Sequence, residues 1–330
     1  RHVNRLFAHA DQSQPTPAMV EPVPAPDSAL VLQIARKLKT AQRPVLIVGS
    51  QAVCEPDRVP AIAEAVDRLG VPTYLSGMAR GLLGARHSLH CRHQRRAALK
   101  RADLVILAGV PCDFRLDYGR SIGKGATLIS ANRSRHDLKL NRNPDIAVPA
   151  DPGCLLVDLA RAAPAAAAAW SDWRDKLATR DAAREEEIDQ QGAAAGERVN
   201  PVALCRAVND ALPEESVVVA DGGDFVGTAS YIVRPRAPLT WLDPGAFGTL
   251  GVGAGFALGA KLCRPEAEVW IMFGDGSLGY SIAEFDTFIR HGLPVIAVVG
   301  NDACWSQIAR EQVKLLEDDT AVMLGRTDYH

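Results

Sequence analysis

"IMFGDGSLGY", residues 271–280, is the stretch on which the reading of this chain turns. The apolar run Val269-Trp270-Ile271-Met272-Phe273 has the composition of a buried strand, and it stops at Gly274-Asp275-Gly276. Asp and Gly are turn formers, and a Gly-Asp-Gly triplet standing alone is most simply a turn. The residues that follow give it more. Ser281 and Glu284 have the S-x-x-E spacing of a capping box, with Tyr280 and Phe285 placed to form a hydrophobic staple around it. Ile282, Phe285 and Ile289 recur at helical spacing and Gly292 with Pro294 ends the pattern, which predicts a helix over 281–291. "PVIAVVG" (294–300) reads as the next buried strand and delivers Asn301 and Asp302. Strand, acidic turn, helix and strand make one right-handed βαβ unit.

That unit sets Asp275 and Asn301, 301 − 275 = 26 residues apart, at the carboxyl ends of neighbouring strands. Ligands bind at that edge of a parallel sheet. A carboxylate beside an amide oxygen suits Mg²⁺, which takes few protein ligands and completes its shell with phosphate and water. The backbone amides of Gly276 and Ser277 are free to face a phosphate, and Gly274 and Gly276 let the chain approach it closely. No GxxxxGK[ST] occurs, which argues against an ordinary ATPase. "GVGAGFALG" follows a loop rather than a strand, so it reads as small-residue helix packing and not as a dinucleotide fingerprint.

Outward from this unit, the same alternation of short apolar runs and helical stretches recurs. Asn200-Pro201 opens a helix to Leu212, and "SVVVA" (216–220) is a strand that runs into "DGGDF". A glycine-rich stretch, 244–262, passes from loop into helix. Nearer the start, "PVLIVGS" (44–50), "VPTYLS" (71–76), "DLVILAGV" (103–110) and "ATLISA" (126–131) read as strands, with helices from about Ser28 and over 60–69. The expected fold class is α/β, with two doubly wound parallel-sheet domains. The expected divisions are a Pro-rich linker arm over 1–27, a central α/β domain over 28–163, a solvated helical linker over 164–199, and a diphosphate/Mg²⁺ domain over 200–330.

Composition narrows the function classes. The chain has 330 residues, 47% hydrophobic and 23% charged, and a net charge of −2 with no basic stripe, which argues against a nucleic-acid partner. No apolar run approaches the roughly 18 residues a membrane span needs. Seven cysteines form no CxxC pair, and buried free thiols in a reducing cytoplasm is the simplest reading. The chain begins at Arg1 with no signal-peptide pattern, which suggests a segment of something longer.

"GDGSLGYSIAEFDTFIRHGLPVIAVVGNDACW" resembles the thiamine-diphosphate motif, a GDG followed some 25–30 residues later by an Asn-containing close. "VVADGGDF" and "FGTLGVGAGFALGAKL" are similar to the other cofactor-facing segments of the acetolactate-synthase-like group, which includes 2-hydroxyacyl-CoA lyase-like members. "GMARGLLG…H" (77–87) and "VILAGVPCDFRLDYG" (104–119) resemble that group's central domain. The resemblance implies Mg²⁺ on Asp275, Asn301 and the Ala303 carbonyl, and the diphosphate on Gly274, Gly276 and Ser277. It further implies Gly248 and Thr249 facing the aminopyrimidine, with Leu250 as the apolar wedge that keeps the cofactor bent. Three features depart from the synthases: Leu250 stands where Met is common, Gly300-Asn301 replaces Asn-Asn, and "DGGDF" lacks Gln-His.

By that resemblance the chain is part of a thiamine-diphosphate- and Mg²⁺-dependent enzyme that makes or breaks a C–C bond next to a carbonyl, on a 2-oxo acid, aldehyde or acyl-CoA. Acetolactate synthesis and a non-catalytic nucleotide-binding or oligomerisation relative are the alternatives. The group's aminopyrimidine-protonating glutamate belongs to an N-terminal domain that nothing in 1–330 resembles, so the catalytic acid is expected from outside, within a homodimer or homotetramer. No redox flavin is expected, but a nucleotide-shaped ligand such as CoA or ADP has a place near Gly49-Ser50 and Met78-Ala79-Arg80. Trp305 and Gln307 are candidate substrate-side residues. Arg115 and Arg120 could meet an anion or form surface salt bridges, and helix-end roles suffice for Glu284 and His291.

Overall fold

The computed structural model describes residues 24–163 and 167–329. The expected arm therefore falls largely outside the described residues, as do 164–166 of the Ala-rich stretch and His330.

The first sheet contains β1 (Pro44–Val48), β2 (Thr73–Leu75), β3 (Leu104–Ala108), β4 (Thr127–Ala131) and β5 (Ile146–Val148), all parallel in the order β2-β1-β3-β4-β5. Alternation along β1 explains its two-sided burial. Leu46 and Val48 join a core with α1 (Ser28–Thr40), α2 (Val59–Leu69) and α4 (Pro152–Ala162), whereas Val45 and Ile47 face α3 (Arg95–Arg101). A strand covered on both faces has no polar positions to alternate with, hence "PVLIV". Asp27 and Asp151 cap α1 and α4, accepting from the amides of Ala29 and Cys154 at 2.7 and 2.8 Å.

The second sheet contains β6 (Ser216–Ala220), β7 (Trp241–Leu242), β8 (Glu268–Gly274) and β9 (Ile296–Gly300), parallel in the order β7-β6-β8-β9. One face packs on α6 (Pro201–Ala211) and α7 (Asp224–Ile232), the other on α8 (Gly253–Cys263) and α10 (Glu284–His291). The Asn200 side chain accepts from the amide of Val202 at 2.9 Å, the cap its sequence context predicts.

Two expectations are corrected. The helix predicted from Ser281 begins at Glu284, and the capping box does not form: the buried Ser281 hydroxyl has no partner among the described residues, while the Glu284 carboxylate accepts from Thr287 Oγ1 at 2.8 Å. The ring of Tyr280 meets Trp305, and that of Phe285 meets Phe288, so no staple joins Tyr280 to Phe285. The short helix α9 (Asp275–Leu278) starts directly at the strand end, and the tight turns after it occupy the residues the box would need.

The expected solvated linker is instead a brace, α5 (Ser171–Gly192). Trp173 and Leu177 enter the first core and Ile188 the second. Trp173 Nε1 donates to the Pro44 carbonyl at 3.0 Å. Further along, Glu185 accepts from His93 of the first domain at 2.8 Å and from Arg206 and Arg234 of the second at 2.7 and 2.8 Å. One carboxylate thus ties both domains together.

Candidate functional site

β8 and β9 pair in the register Gly274↔Gly300, so the next residues, Asp275 and Asn301, leave the sheet side by side at its carboxyl edge. Asp275 is 4% exposed, and its Oδ2 accepts from the Ala303 amide at 3.0 Å. Burial raises its pKa above the ordinary carboxylate value, an effect the Gly276 amide opposes and nearby Asp302 reinforces. Asn301 donates through Nδ2 to the Thr327 carbonyl at 2.6 Å, which leaves its Oδ1 buried and without a partner among the described residues. A buried, unpartnered amide oxygen is uncommon, and at a metal site it has a use. Ala303, with φ 57, takes the left-handed conformation in this loop, and its carbonyl accepts from the Leu324 amide at 2.8 Å. The segment around 322–327 therefore fastens the 301–305 loop, with the Trp305 amide also donating to the Val322 carbonyl at 2.8 Å.

At the start of α9, the amides of Gly276 and Ser277 precede any i−4 acceptor within the helix. The Ser277 hydroxyl points inward, shared between the carbonyls of Gly222 and Gly274 at 3.0 Å each, so its backbone amide is what it offers a ligand. Gly276 is required by close approach: a Cβ there would lie 2.5 Å from the Trp305 ring.

A small cavity of about 80 Å³, open to solvent, is lined by Leu250, Asp275, Gly276, Ser277, Trp305 and Gln307. Gly274 also borders it. Leu250 packs against Gly222. Gly248, with φ 60, and Thr249 lie in the exposed loop just before it and do not line this cavity. Glu284 and His291 are exposed on α10, outside the cavity. Arg115 pairs with Asp113 at 2.7 Å and Arg120 with Asp117 at 3.2 Å, so both form salt bridges. Near Gly49-Ser50, Ser50 Oγ accepts from the Met78 amide at 3.1 Å, joining the ends of β1 and β2.

Asp221 is the residue the sequence reading passed over. At the end of β6 and 2% exposed, it accepts from the amides of Gly251 and Gly253 at 2.9 and 2.6 Å, fixing the turn that carries Leu250. Burial raises its pKa, with those two amides opposing. The signal was present: "VVADGG" is a second carboxylate at the end of an apolar strand, the same pattern as "IMFGDG". Asp224 on α7 is likewise ion-paired with Arg310 of α11 (Ser306–Leu316) beside the cavity.

The geometry suits a phosphate and a cation at a sheet edge, and comparison with known proteins gives the family. Residues 221–329 match the thiamine pyrophosphate enzyme C-terminal TPP binding domain, and residues 31–159 match the thiamine pyrophosphate enzyme central domain. The chain belongs to the thiamine pyrophosphate enzymes. It is 48% identical to human 2-hydroxyacyl-CoA lyase 2 over 100% of its length and 53% of that protein's. Its identity to the bovine 2-hydroxyacyl-CoA lyase 2 is 49%, over 98% of this chain and 52% of the relative. The acetolactate synthase large subunit IlvG of Mycobacterium tuberculosis is more distant, 34% identical over 86% of this chain and 51% of that protein. The chain spans about half the length of the curated relatives it matches. The matched cofactor domain contains every residue of the cavity, and also Asn301, which does not line it.

Proposed function

We propose that the protein containing this chain is a thiamine-diphosphate- and Mg²⁺-dependent lyase acting on 2-hydroxyacyl-CoA substrates. The buried, unpartnered Oδ1 of Asn301 next to the Asp275 carboxylate carries the reading of the site. Asp275, Asn301 and the second lone pair of the Ala303 carbonyl hold the cation, and the amides of Gly276 and Ser277 face the diphosphate. Leu250, held in place through Asp221, supplies an apolar surface for the bend of the cofactor. When bound, the cofactor supplies carbanion stabilisation next to a carbonyl, and the protein supplies orientation and a partly water-excluded pocket. The indole of Trp305 over Gly276 serves that exclusion. Gly248 and Thr249 reach the aminopyrimidine through their exposed loop, and the glutamate that protonates the ring comes from a domain outside this chain, across a dimer interface.

The preference for lyase over synthase rests on identity, 48–49% against 34%, and on the departures at Leu250 and Gly300. Turnover of the full-length protein with thiamine diphosphate and Mg²⁺ tests it. Cleavage of a 2-hydroxyacyl-CoA with little conversion of pyruvate is the expected result. Acetolactate formation from pyruvate as the faster reaction would replace the lyase reading with the synthase one.

A further inference from the structure

An open groove of about 560 Å³ lies at the amino-terminal edge of the first sheet, opposite the carboxyl edge where parallel sheets bind their ligands. Positive charge collects there from separate parts of the chain. Arg43 stands just before β1, Lys100 and Arg101 end α3, Lys124 lies in the turn before β4, and Lys176 comes from α5. All five residues are exposed. Among the described residues the one carboxylate on the wall is Asp103. Both its oxygens are occupied, accepting from the backbone amides of Gln42 and Arg43 at 2.7 and 2.9 Å. Arg43 Nε donates to the Arg101 carbonyl at 2.7 Å, and none of the five cations forms an ion pair with a described carboxylate.

The whole chain carries 37 basic and 39 acidic residues, so five cations around one occupied carboxylate is a local departure. Lys100 and Arg101 complement the dipole at the carboxyl end of α3, which accounts for two of the five. Arg43, Lys124 and Lys176 have no such role, and together the five create a field that attracts a polyanion. The lining narrows which one. Trp173 borders the groove but is 4% exposed, with its Nε1 bonded to the Pro44 carbonyl, so no ring face is open for a nucleic-acid base to stack on. No exposed apolar side chain lines the groove to enter a bilayer, and a flat bilayer meets the rim of a concave surface rather than its floor. Three of the cations are lysines, point charges on flexible stems rather than rigid forks that grip one phosphate. Carboxylates strung along a flexible chain match them.

We propose that this groove is a docking surface for an acidic peptide segment of a partner protein, a short run of Asp or Glu side chains met by Arg43, Lys100, Arg101, Lys124 and Lys176. The surface belongs to the first domain and the brace helix α5, away from the cation site at the β8–β9 edge, and it does not depend on the lyase reading.

The test is a fluorescence-anisotropy titration of the full-length protein with a labelled synthetic oligoglutamate peptide, with an oligoglutamine peptide of the same length as the neutral control. The glutamate peptide should bind, more weakly as salt is raised, and the glutamine peptide should not. Reversing two charges of the groove together, Lys124→Glu with Lys176→Glu, should weaken binding about tenfold or more at low salt. Lys139→Glu, exposed and outside the groove, should leave it unchanged. Lys100→Glu decides in place of the double variant if that does not fold. No binding of the glutamate peptide to wild type overturns the proposal, as does binding that the folded groove variant retains or that Lys139→Glu weakens equally. Tighter binding of an oligothymidylate, or of phosphatidylserine vesicles, that the groove variant abolishes would also overturn it and assign the surface to that polyanion instead.

Discussion

The two sheets of this chain are built from the same parts and finished differently. In the first, β1 and β3 are buried throughout and lie between two cores. In the second, β6 and most of β8 are as well buried, but β9 is half-exposed from Ile296 onward, and no residue of α11 is buried. Ile289 on α10, at 80% exposure, belongs to the same open side. The candidate ligand site sits at the join between the buried strand and the open one. Asp275 is held by the rigid β8, whereas Asn301 hangs from β9 and a loop fastened by 322–327. One of these side chains is positioned by a packed core, the other by a few hydrogen bonds. Within this segment the site therefore has one firm wall, held by a core, and one adjustable wall, held by hydrogen bonds.

The largest effect expected from this contrast is in the packed sheet. In residues 1–330 taken alone, Ile47→Ala, at a position with no exposed surface, should cost about 2–5 kcal/mol, whereas Ile296→Ala on β9 should cost about 1 kcal/mol or less. Urea denaturation of both variants checks this, and equal losses would erase the distinction between the sheets. Amide exchange sharpens it further, with β9 expected to exchange faster than β1.

Next in size is the firm wall of the site. Asp275→Asn should remove the thermal stabilisation given by thiamine diphosphate with Mg²⁺, which at about 100 times the dissociation constant amounts to about 2.7 kcal/mol. A neutral amide cannot balance the cation. An undiminished melting shift would take Asp275 out of the site. Asn301→Ala, on the adjustable wall, should reduce the shift without abolishing it.

A smaller effect is expected where α5 joins the domains. Burial alone would raise the pKa of Glu185, but hydrogen bonds from His93 and Arg206 and the charge of Arg234 outweigh it and hold the carboxyl well below its ordinary value. Such a group binds fewer protons folded than unfolded. Its contribution is complete above the ordinary glutamate pKa of about 4.3 and is lost as the pH falls below that. Glu185→Gln should cost about 1–3 kcal/mol at neutral pH and flatten the loss of stability on acidification. A variant with the same acid profile as wild type would show that the node does not couple the domains.

How much of this was legible beforehand follows the range of the interactions. The strand–turn–helix–strand unit around Asp275 was readable because its signals are local: an apolar run, a breaker, a helical period. β5 and β7 were not, being three and two residues long with no run to detect. The capping box over 281–284 had the right letters, but the chain turns tightly through those residues and leaves the Ser281 hydroxyl unpaired. Asp221 received no role of its own within "VVADGGDF" because its partners, the amides of Gly251 and Gly253, lie 30 and 32 positions away. The brace helix looked solvated because its composition is polar and only Trp173, Leu177 and Ile188 of its 22 residues are buried. Which cations meet Glu185 is a property of the assembled domains and has no signature in any short window.

The central claim is that Asp275 and Asn301 share one cation beneath a diphosphate, and a crystal structure of the full-length protein with thiamine diphosphate and Mg²⁺ tests it most directly. The account predicts one ion about 2.0–2.1 Å from a carboxylate oxygen of Asp275 and from Oδ1 of Asn301, with the diphosphate over the amides of Gly276 and Ser277. An ion or diphosphate bound elsewhere, with Asn301 Oδ1 still without a partner, would contradict it.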